Sequence, residues 1–333
     1  MEKLSIIIPC RNEEKYIADC LDSVINTDYP KECLEVFVID GQSSDKTRKI
    51  IEEYTKNFNF FHLMINKNKT VPYAMNMGIK ESSGVYIIRL DAHGVFPNDY
   101  FSKLVSWSKK LDADNIGAIW ITDVKNNNPK TNAIKTVLSS KFGVGDSFFR
   151  IGGIEQALEV DTVPFGCYKK EVFNKIGLYN HQLIRNQDIE LNKRLKRNGG
   201  RIFLLPDLFS TYYARETFGG IAKNNFETGL WNILTVYITR RVTSLSLRHF
   251  IPLLFLLSLI LPVISMVWIP FGGYIALISF LLYVLTIITV SLKVTDNGTT
   301  FYHIAWAFLV LHFSYGFGSL LGIFRIDLLF NRR

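Results

Sequence analysis

An acid and an imidazole, Asp91 and His93, stand two residues apart in the stretch IIRLDAHGVF, directly after a hydrophobic run. Alternation along an extended strand turns two side chains at this spacing to the same side. A carboxylate suits Mg²⁺ or Mn²⁺, and an added imidazole favours Mn²⁺. The pair is therefore a candidate divalent-metal site; a turn aspartate beside a surface histidine is the alternative interpretation.

A second pair of acids, Asp188 and Glu190, begins a basic amphipathic helix that is predicted to end near Asn198. Asp188 is expected at or beside the N-cap, where the helix dipole and free amide groups keep a carboxylate ionised. An ionised carboxylate can act as a general base on an attacking hydroxyl group. Helix capping alone is the other explanation for Asp188.

Glycine-rich phosphate loops are absent from the sequence. No G-x-G-x-x-G follows the first predicted strand and no G-x-x-x-x-G-K-[ST] occurs, which argues against a dehydrogenase or a P-loop enzyme. A nucleotide bound here would need another source of positive charge. A metal ion at Asp91 and His93 would supply it, because such an ion stabilises the charge on a departing pyrophosphate.

Short β-branched runs alternate with helical patterns over the first part of the chain, which predicts an α/β domain with a mostly parallel sheet of βαβ units. The predicted strands are residues 4–8, 35–39, 60–64, 85–90 and 116–122. The predicted helices between them are residues 14–26, 44–54 and 72–81.

Three of these strands end in candidate binding residues, at the carboxyl edge where such sheets bind ligands. They are Pro9, Arg11, Asn12 and Glu13 after the first strand, Asp40 and Gly41 after the second, and Asp91 and His93 after the fourth. We expect the three clusters to converge on one site. Glu13 could instead be a first-turn acid of the next helix, and Asp45 an N-cap or first-turn acid of the helix after that.

Three apolar stretches, residues 250–269, 274–292 and 301–323, fill the C-terminal part of the chain. Each is long enough to cross a hydrocarbon core of about 30 Å, and buried soluble helices are the alternative. Arg240, Arg241 and Arg248 precede the first stretch. By the positive-inside tendency, the sequence predicts a multi-pass plasma-membrane protein whose N-terminal domain is cytoplasmic.

The formal net charge of +8 is assigned to a membrane surface, because no nucleic-acid-binding motif occurs. The predicted organisation is an α/β domain at residues 1–215, an amphipathic interfacial segment at 216–248 and a transmembrane region at 249–333. An odd number of spans would put Arg325, Arg332 and Arg333 outside, against the positive-inside tendency. The number of spans is therefore left open.

Four ordered blocks resemble the inverting glycosyltransferase family 2, which has the GT-A fold. They are LSIIIPCRNEEKYIADCLDSV, VFVIDGQSSDKT, AMNMGIKESSGVYIIRLDAH, and FGCYKKEVFNKIGLYN followed by NQDIELNKRLKRNGG. Together they span roughly residues 3 to 210. The resemblance implies a domain that binds a nucleotide-sugar donor and transfers its sugar.

The resemblance also implies roles for single residues. Asp40 would read the nucleotide base, Pro9, Arg11 and Glu13 would frame the nucleoside, Asp91 and His93 would hold Mn²⁺ or Mg²⁺ on the diphosphate, and Asp188 would be the catalytic base. Two positions depart from the family pattern. His93 replaces the second aspartate of the Asp-x-Asp motif, and Gln187 replaces the glutamate of a common Glu-Asp pair.

The Asp-Ala-His form and the terminal HFSYGFGSLLG stretch are most similar to the branch that builds exopolysaccharide repeat units, the succinoglycan-biosynthesis type. This similarity implies a UDP-sugar donor and a lipid-linked saccharide acceptor. Only Trp231 resembles the Gln-x-x-Arg-Trp motif of processive synthases, which disfavours processive synthesis. Two alternatives stay open: a polyprenyl-phosphate glycosyltransferase, and a non-catalytic membrane protein that only binds nucleotide-sugars.

Overall fold

The computed structural model describes residues 1–325, so Arg332 and Arg333 lie outside the described residues. The strands are β1 (Leu4–Cys10), β2 (Leu34–Asp40), β3 (Phe61–Ile65), β4 (Tyr86–Arg89), β5 (Gly94–Val95), β6 (Asn115–Asp123), β7 (Leu158–Glu159), β8 (Cys167–Lys169) and β9 (Ile202–Tyr213). The first nine helices are α1 (Ile17–Ile25), α2 (Thr47–Asn57), α3 (Val71–Glu81), α4 (Tyr100–Leu111), α5 (Pro129–Leu138), α6 (Lys141–Val144), α7 (Phe148–Ile151), α8 (Glu171–Ile176) and α9 (Gln187–Arg197). The last four are α10 (Phe218–Thr239), α11 (Ile251–Ser265), α12 (Gly272–Val294) and α13 (Phe301–Phe324).

The chain forms two compact units. The first consists of Met1–Ile121 and Ile151–Tyr213, and the second of Thr122–Arg150 together with the chain from Ala214 onward. The sequence pattern suggested one continuous domain to residue 215. In the structure, residues 122–150 instead pack with the C-terminal helices, because the apolar face of α5 joins their core.

The first unit contains an α/β sheet of nine strands in the order β3-β2-β1-β4-β8-β6-β9-β5, with β7 beside β9. All five predicted strands and all three predicted helices are present, with small shifts at their ends. The parallel arrangement holds for β3, β2, β1 and β4. The other half is antiparallel, so the sheet is mixed rather than mostly parallel. Strands β5, β7 and β8 have only two or three residues, too few for a readable alternation pattern.

Strand β1 occupies the middle of the parallel half, and all seven of its residues are buried. A strand covered on both faces reads as a continuous apolar run, which the sequence IIIP illustrates. The register pairs Cys10 with Asp40 on β2 and Ile7 with Arg89 on β4. The carboxyl ends of β1, β2 and β4 therefore meet at one edge of the sheet.

At the opposite edge of the sheet, Glu35 at the start of β2 links neighbouring segments by hydrogen bonds. Its carboxylate accepts hydrogen bonds from the hydroxyl of Ser5 and from both the amide and the hydroxyl of Ser83, and it pairs with Lys3 at 2.9 Å. Burial alone would raise the pKa of Glu35, but these hydrogen bonds outweigh it and lower the pKa to about 2. The carboxylate thus ties β1, β2 and the turn before β4 together in its ionised form.

The second unit contains three helical stretches long and apolar enough to cross a membrane: Leu247–Ser265, Gly272–Val294 and Phe301–Phe324. Their positions agree with the three stretches predicted from the sequence. Helix α10 packs closely along the end of α13, where glycines allow the two backbones to touch. A Cβ atom at Gly318 would overlap the carbonyl oxygen of Phe226, and one at Gly229 would overlap that of Tyr315.

Candidate active site

A cavity of about 230 Å³ lies at the carboxyl ends of β1, β2 and β4 in the first unit. Five residues predicted for the site line it: Pro9, Arg11, Glu13, Asp91 and His93. The same cavity is also lined by Cys10, Ile39, Gly41, Asn66, Lys69, Thr70, Val71, Ala74, Arg89 and Ala92. The strand-end rule thus located a real concave site.

The loop after β1 is held in place by the loop after β2. Asn12 adopts a left-handed backbone conformation with φ of 57°, and its side-chain oxygen accepts a hydrogen bond from the amide of Ser44 at 2.8 Å. The amide of Glu13 donates to the hydroxyl of Thr47 at 2.7 Å. Asp45 accepts from the amides of Thr47 and Glu14, which agrees with its interpretation as a helix-terminal acid.

Asp40 is fully buried beneath the cavity wall. Its Oδ2 accepts hydrogen bonds from Nε and Nη2 of Arg48 at 3.0 and 2.7 Å, and its Oδ1 accepts from the amide of Ser43 at 3.0 Å. Its neighbours Ile39 and Gly41 form part of the lining. Recognition of a nucleobase by Asp40 stays a prediction, and any base contact would share the carboxylate with Arg48.

The loop after β3 places the side chain of Lys69 at the cavity. This cation was not predicted from the sequence. Asn66 shapes this loop, because its amide donates to the carbonyl of Asp40 and its side chain bonds the carbonyl of Thr70 and the amide of Asn68. Lys69 has φ of 64° and lines the cavity. The polar run NKNKT after a strand was the available signal for this residue.

Asp91 and His93 lie in a tight turn after β4, closed by a hydrogen bond from the amide of Gly94 to the carbonyl of Asp91 at 2.9 Å. The Nδ1 atom of His93 lies 3.5 Å from Oε1 of Glu13. The imidazole also packs edge-on against the ring of Tyr212, with centroids 5.3 Å apart. His93 is therefore held between an acid and an aromatic wall, facing the cavity.

Asp91 and His93 both line this cavity and carry the carboxylate and the imidazole that are predicted to bind a divalent ion, and this metal site stays a prediction. Within residues 1–325, no group of three or more His, Cys, Asp or Glu side chains is arranged to hold a metal alone. Protein sites for such ions often supply only one or two ligands and leave the rest to substrate phosphates. The donor set thus fits an ion held jointly with a diphosphate.

Arg89, the last residue of β4, joins the two predicted acids of the site. Its Nε and Nη2 atoms both donate to Oδ1 of Asp91, at 3.0 and 2.9 Å, and its Nη1 lies 3.8 Å from Oδ2 of Asp188. Burial opposes the charge, but the two carboxylates outweigh it and raise the pKa of Arg89 above its ordinary value. One permanently charged guanidinium therefore spans Asp91 and Asp188.

Helix α9 carries Asp188 in its first turn, after an N-cap residue, Asn186, with φ of 59°. The helix is fixed to the sheet by the fully buried Asn192, which bonds Asn115, Tyr168 and Thr162 at 2.9 Å each. The Asp188 side chain is about one-third exposed. It is thus placed rigidly and still accessible to a substrate.

The other residues at the start of α9 have different surroundings. Glu190 is buried and pairs with Arg194, whose guanidinium also donates to the carbonyls of Ile176 and Leu178. Gln187 is buried as well. Of the two acids considered from the sequence, only Asp188 reaches the cavity residues, through Arg89.

Comparison with known proteins places this geometry among sugar transferases. The chain is 31% identical over 235 residues to a dolichyl N-acetyl-alpha-D-glucosaminyl phosphate 3-beta-D-2,3-diacetamido-2,3-dideoxy-beta-D-glucuronosyltransferase of Methanococcus voltae, covering 69% of this chain and 72% of that protein. It is 29% identical over 212 residues to the succinoglycan biosynthesis protein ExoA of Rhizobium meliloti, covering 63% of each. The chain thus spans just under two-thirds of this second relative.

A solved structure shares the fold. The mannosyltransferase PcManGT from Pyrobaculum calidifontis, in complex with GDP-Man and Mn²⁺, superposes with a TM-score of 0.62 at 13% identity, covering 97% of this chain and 88% of that one. The fold is therefore GT-A. The family description "Glycosyl transferase family 2" matches residues 5–177, just over half of the chain. The chain belongs to glycosyltransferase family 2, and its similarity to the succinoglycan biosynthesis protein is consistent with the exopolysaccharide branch.

Proposed function

We propose that the chain is an inverting, metal-dependent hexosyltransferase that moves a sugar from a nucleoside-diphosphate sugar to a lipid-linked saccharide. The observation that carries this proposal is the arrangement around Arg89. One guanidinium contacts both the acid of the metal motif, Asp91, which lines the cavity, and the acid of helix α9, Asp188. A transferase of this kind needs the metal ligand and the catalytic base beside the same sugar carbon.

The donor would lie along the loops at the carboxyl edge of the sheet. Pro9, Arg11 and Glu13 would frame the nucleoside, with Asp40 selecting the base from beneath. Lys69 lines the same cavity and would add positive charge beside the diphosphate in place of a glycine-rich loop. A divalent ion held by Asp91 and His93 would stabilise the charge that develops on the departing diphosphate.

Asp188 would take the proton from the acceptor hydroxyl as its oxygen attacks the anomeric carbon, in line with the departing nucleoside diphosphate. The bond between the acceptor oxygen and the anomeric carbon forms as the bond to the diphosphate oxygen breaks, so the configuration at that carbon inverts. The contact with Arg89 would hold Asp188 beside the residues that line the cavity.

The acceptor class is supported by the membrane character of the second unit. Three apolar helical stretches follow the transferase region, and the named Methanococcus voltae relative acts on a dolichyl-phosphate-linked sugar. A lipid-linked saccharide would reach the site from a membrane surface. We place the catalytic domain on the cytoplasmic face, because Arg240, Arg241 and Arg248 precede the apolar stretches.

The proposal is tested with full-length protein purified in detergent and supplied with extracted lipid-linked saccharides. UDP-, GDP- and dTDP-sugars are screened with Mn²⁺ or Mg²⁺, and release of the nucleoside diphosphate is measured. We expect turnover of one donor, dependent on both acceptor and metal. Tight nucleotide binding without turnover of any donor would favour a binding protein instead.

His93→Ala is expected to weaken Mn²⁺-dependent donor binding by roughly tenfold, because it removes one of the two ligands that the chain offers to the ion. The dissociation constant of the nucleotide is measured by calorimetry with and without Mn²⁺. His181→Ala, at an exposed histidine outside the cavity, is the control. An unchanged Mn²⁺ dependence in His93→Ala would remove His93 from the metal site.

A further inference from the structure

Most of the exposed large apolar side chains of the second unit lie on one helical hairpin, formed by α11 and α12, and fewer lie on α13. Its tip is the segment between the two helices, residues 266–271. Val267 and Trp268 there are 79% and 77% exposed, and Phe271 and Tyr274 are also largely exposed. Many outward side chains along α12 are likewise apolar and exposed. A continuous exposed apolar surface of this kind marks an interaction site, and a membrane is one such partner.

Charged residues flank the hairpin at both ends, and none lies between them. Residues 250–292 contain no Asp, Glu, Lys or Arg, whereas Arg248 precedes them and Lys293 follows them. The 23 residues of α12 correspond to about 34 Å of helix, enough for a hydrocarbon core. Two charged ends and an uncharged aromatic tip are the pattern of a hairpin that enters a bilayer and returns to the same side.

Helix α13 has a similar composition, but over its first half it packs against α5 as well as against α12. Its residues Ile304, Phe308 and Leu311 share a core with Ile134 and Val137 of α5. The other face of α5 is polar. Lys135 forms an ion pair with Asp123 at 2.8 Å, and both side chains remain about 40% exposed.

Those exposed charges limit where α13 can lie. A charged side chain is strongly disfavoured at the centre of a membrane. The side chain of Asn132 on α5 also donates a hydrogen bond to the carbonyl of Gly298, in the loop before α13, at 2.9 Å. The first half of α13 is therefore lined by a helix that belongs in water or at the membrane surface.

The second half of α13 runs beside α10 in the same direction. Gly318 lies against Phe226, Gly322 against Ile233, and the hydroxyl of Tyr237 donates to the carbonyl of Ile323 at 3.0 Å. Arg240 and Arg241 lie just past Tyr237, at the C-terminal end of α10. The end of α13 therefore lies at the level of the arginines that precede the hairpin.

We infer that α11 and α12 form the membrane-inserted hairpin of this protein, and that α13 is a scaffold helix which does not cross the bilayer. Arg241, the loop at Asn297, and Arg325 then all lie on one side of the membrane. This arrangement removes the conflict with the positive-inside tendency that three spans would create. It does not depend on the donor or acceptor of the reaction.

The test uses pairs of introduced cysteines in full-length protein carrying Cys33→Ser, because the other three native cysteines are buried. The variants Arg241→Cys with Arg325→Cys, and Arg241→Cys with Asn297→Cys, are reconstituted into sealed liposomes. A membrane-impermeant thiol reagent is added outside, and labels per molecule are counted by mass spectrometry. We expect each molecule of both variants to carry two labels or none, whichever way it faces.

One label per molecule in the Arg241–Arg325 pair, with two or none in the Arg241–Asn297 pair, would show that α13 crosses the membrane and would overturn the inference. One label per molecule in the Arg241–Asn297 pair would overturn the hairpin itself. A second readout places a fluorescent bimane at Trp268→Cys or Phe317→Cys. We expect acyl-chain doxyl lipids to quench the label at 268, and aqueous iodide rather than these lipids to quench it at 317.

Discussion

Asp188→Asn is expected to lower kcat by about 10²- to 10⁴-fold while the dissociation constant of the donor nucleotide changes little. The size is that of removing a general base. Asparagine keeps the shape of the side chain and can still cap the first turn of α9, but it cannot accept the proton of the acceptor hydroxyl. Turnover and nucleotide binding are measured on the same preparation, with the temperature of unfolding as a check on folding.

The result also separates the alternatives that the sequence left open. A phosphate acceptor is already ionised at neutral pH, so a polyprenyl-phosphate glycosyltransferase would keep most of its activity in Asp188→Asn. If Asp188 served only as a helix cap, both Tm and kcat of Asp188→Asn would stay near the wild-type values, because asparagine caps a helix about as well as aspartate. Either outcome would take the catalytic base away from Asp188.

Much of the first unit was readable from the sequence for one physical reason. Strands buried on both faces, such as β1 and β2, appear as unbroken apolar runs. Once they were located, the strand-end rule gathered Arg11, Asp91 and His93 at one edge, and the cavity contains all three. Local pattern and topology were sufficient there because each residue directly follows a strand.

Arg89 shows where that approach ends. In the sequence it is one more residue of a strand, and its importance comes from Asp188, which lies on a helix far along the chain. Lys69 depends on a left-handed backbone conformation that is unusual for a lysine, so the polar run NKNKT predicts a loop but not that this side chain lines the cavity. Pairings between distant segments and strained loops are products of the tertiary structure.

The same limit applies to α13. Its composition alone is that of a membrane span, because length and hydropathy record only the residues of the helix itself. The inference that α13 does not cross the bilayer rests instead on its neighbours. The charged face of α5 and the arginines after α10 come close to α13 only in the folded second unit. Hydropathy therefore located the three apolar segments but carried no information on which of them lipid surrounds.

Arg89→Lys is expected to lower kcat by roughly 10- to 100-fold although the positive charge is kept, because arginine and lysine differ in geometry. The guanidinium uses Nε and Nη2 on Asp91 and directs Nη1 toward Asp188, whereas a single ammonium group cannot reach both acids in this way. Arg194→Lys is the matched control. It disturbs a guanidinium of similar connectivity that binds Glu190 and two carbonyls, so it should lower Tm without lowering kcat of the folded protein.

A double-mutant cycle shows whether Arg89 acts as a positioning residue for the base. If its effect on kcat passes through Asp188, adding Arg89→Lys to Asp188→Asn should lower kcat little further, because the group that Arg89 positions is already inactive. A purely structural Arg89 would instead cost the same factor in both backgrounds and lower Tm in parallel. Equal losses of kcat in the wild-type and Asp188→Asn backgrounds would therefore refute the positioning role. A loss of kcat only in the background that retains Asp188 would show that Arg89 acts by positioning the base.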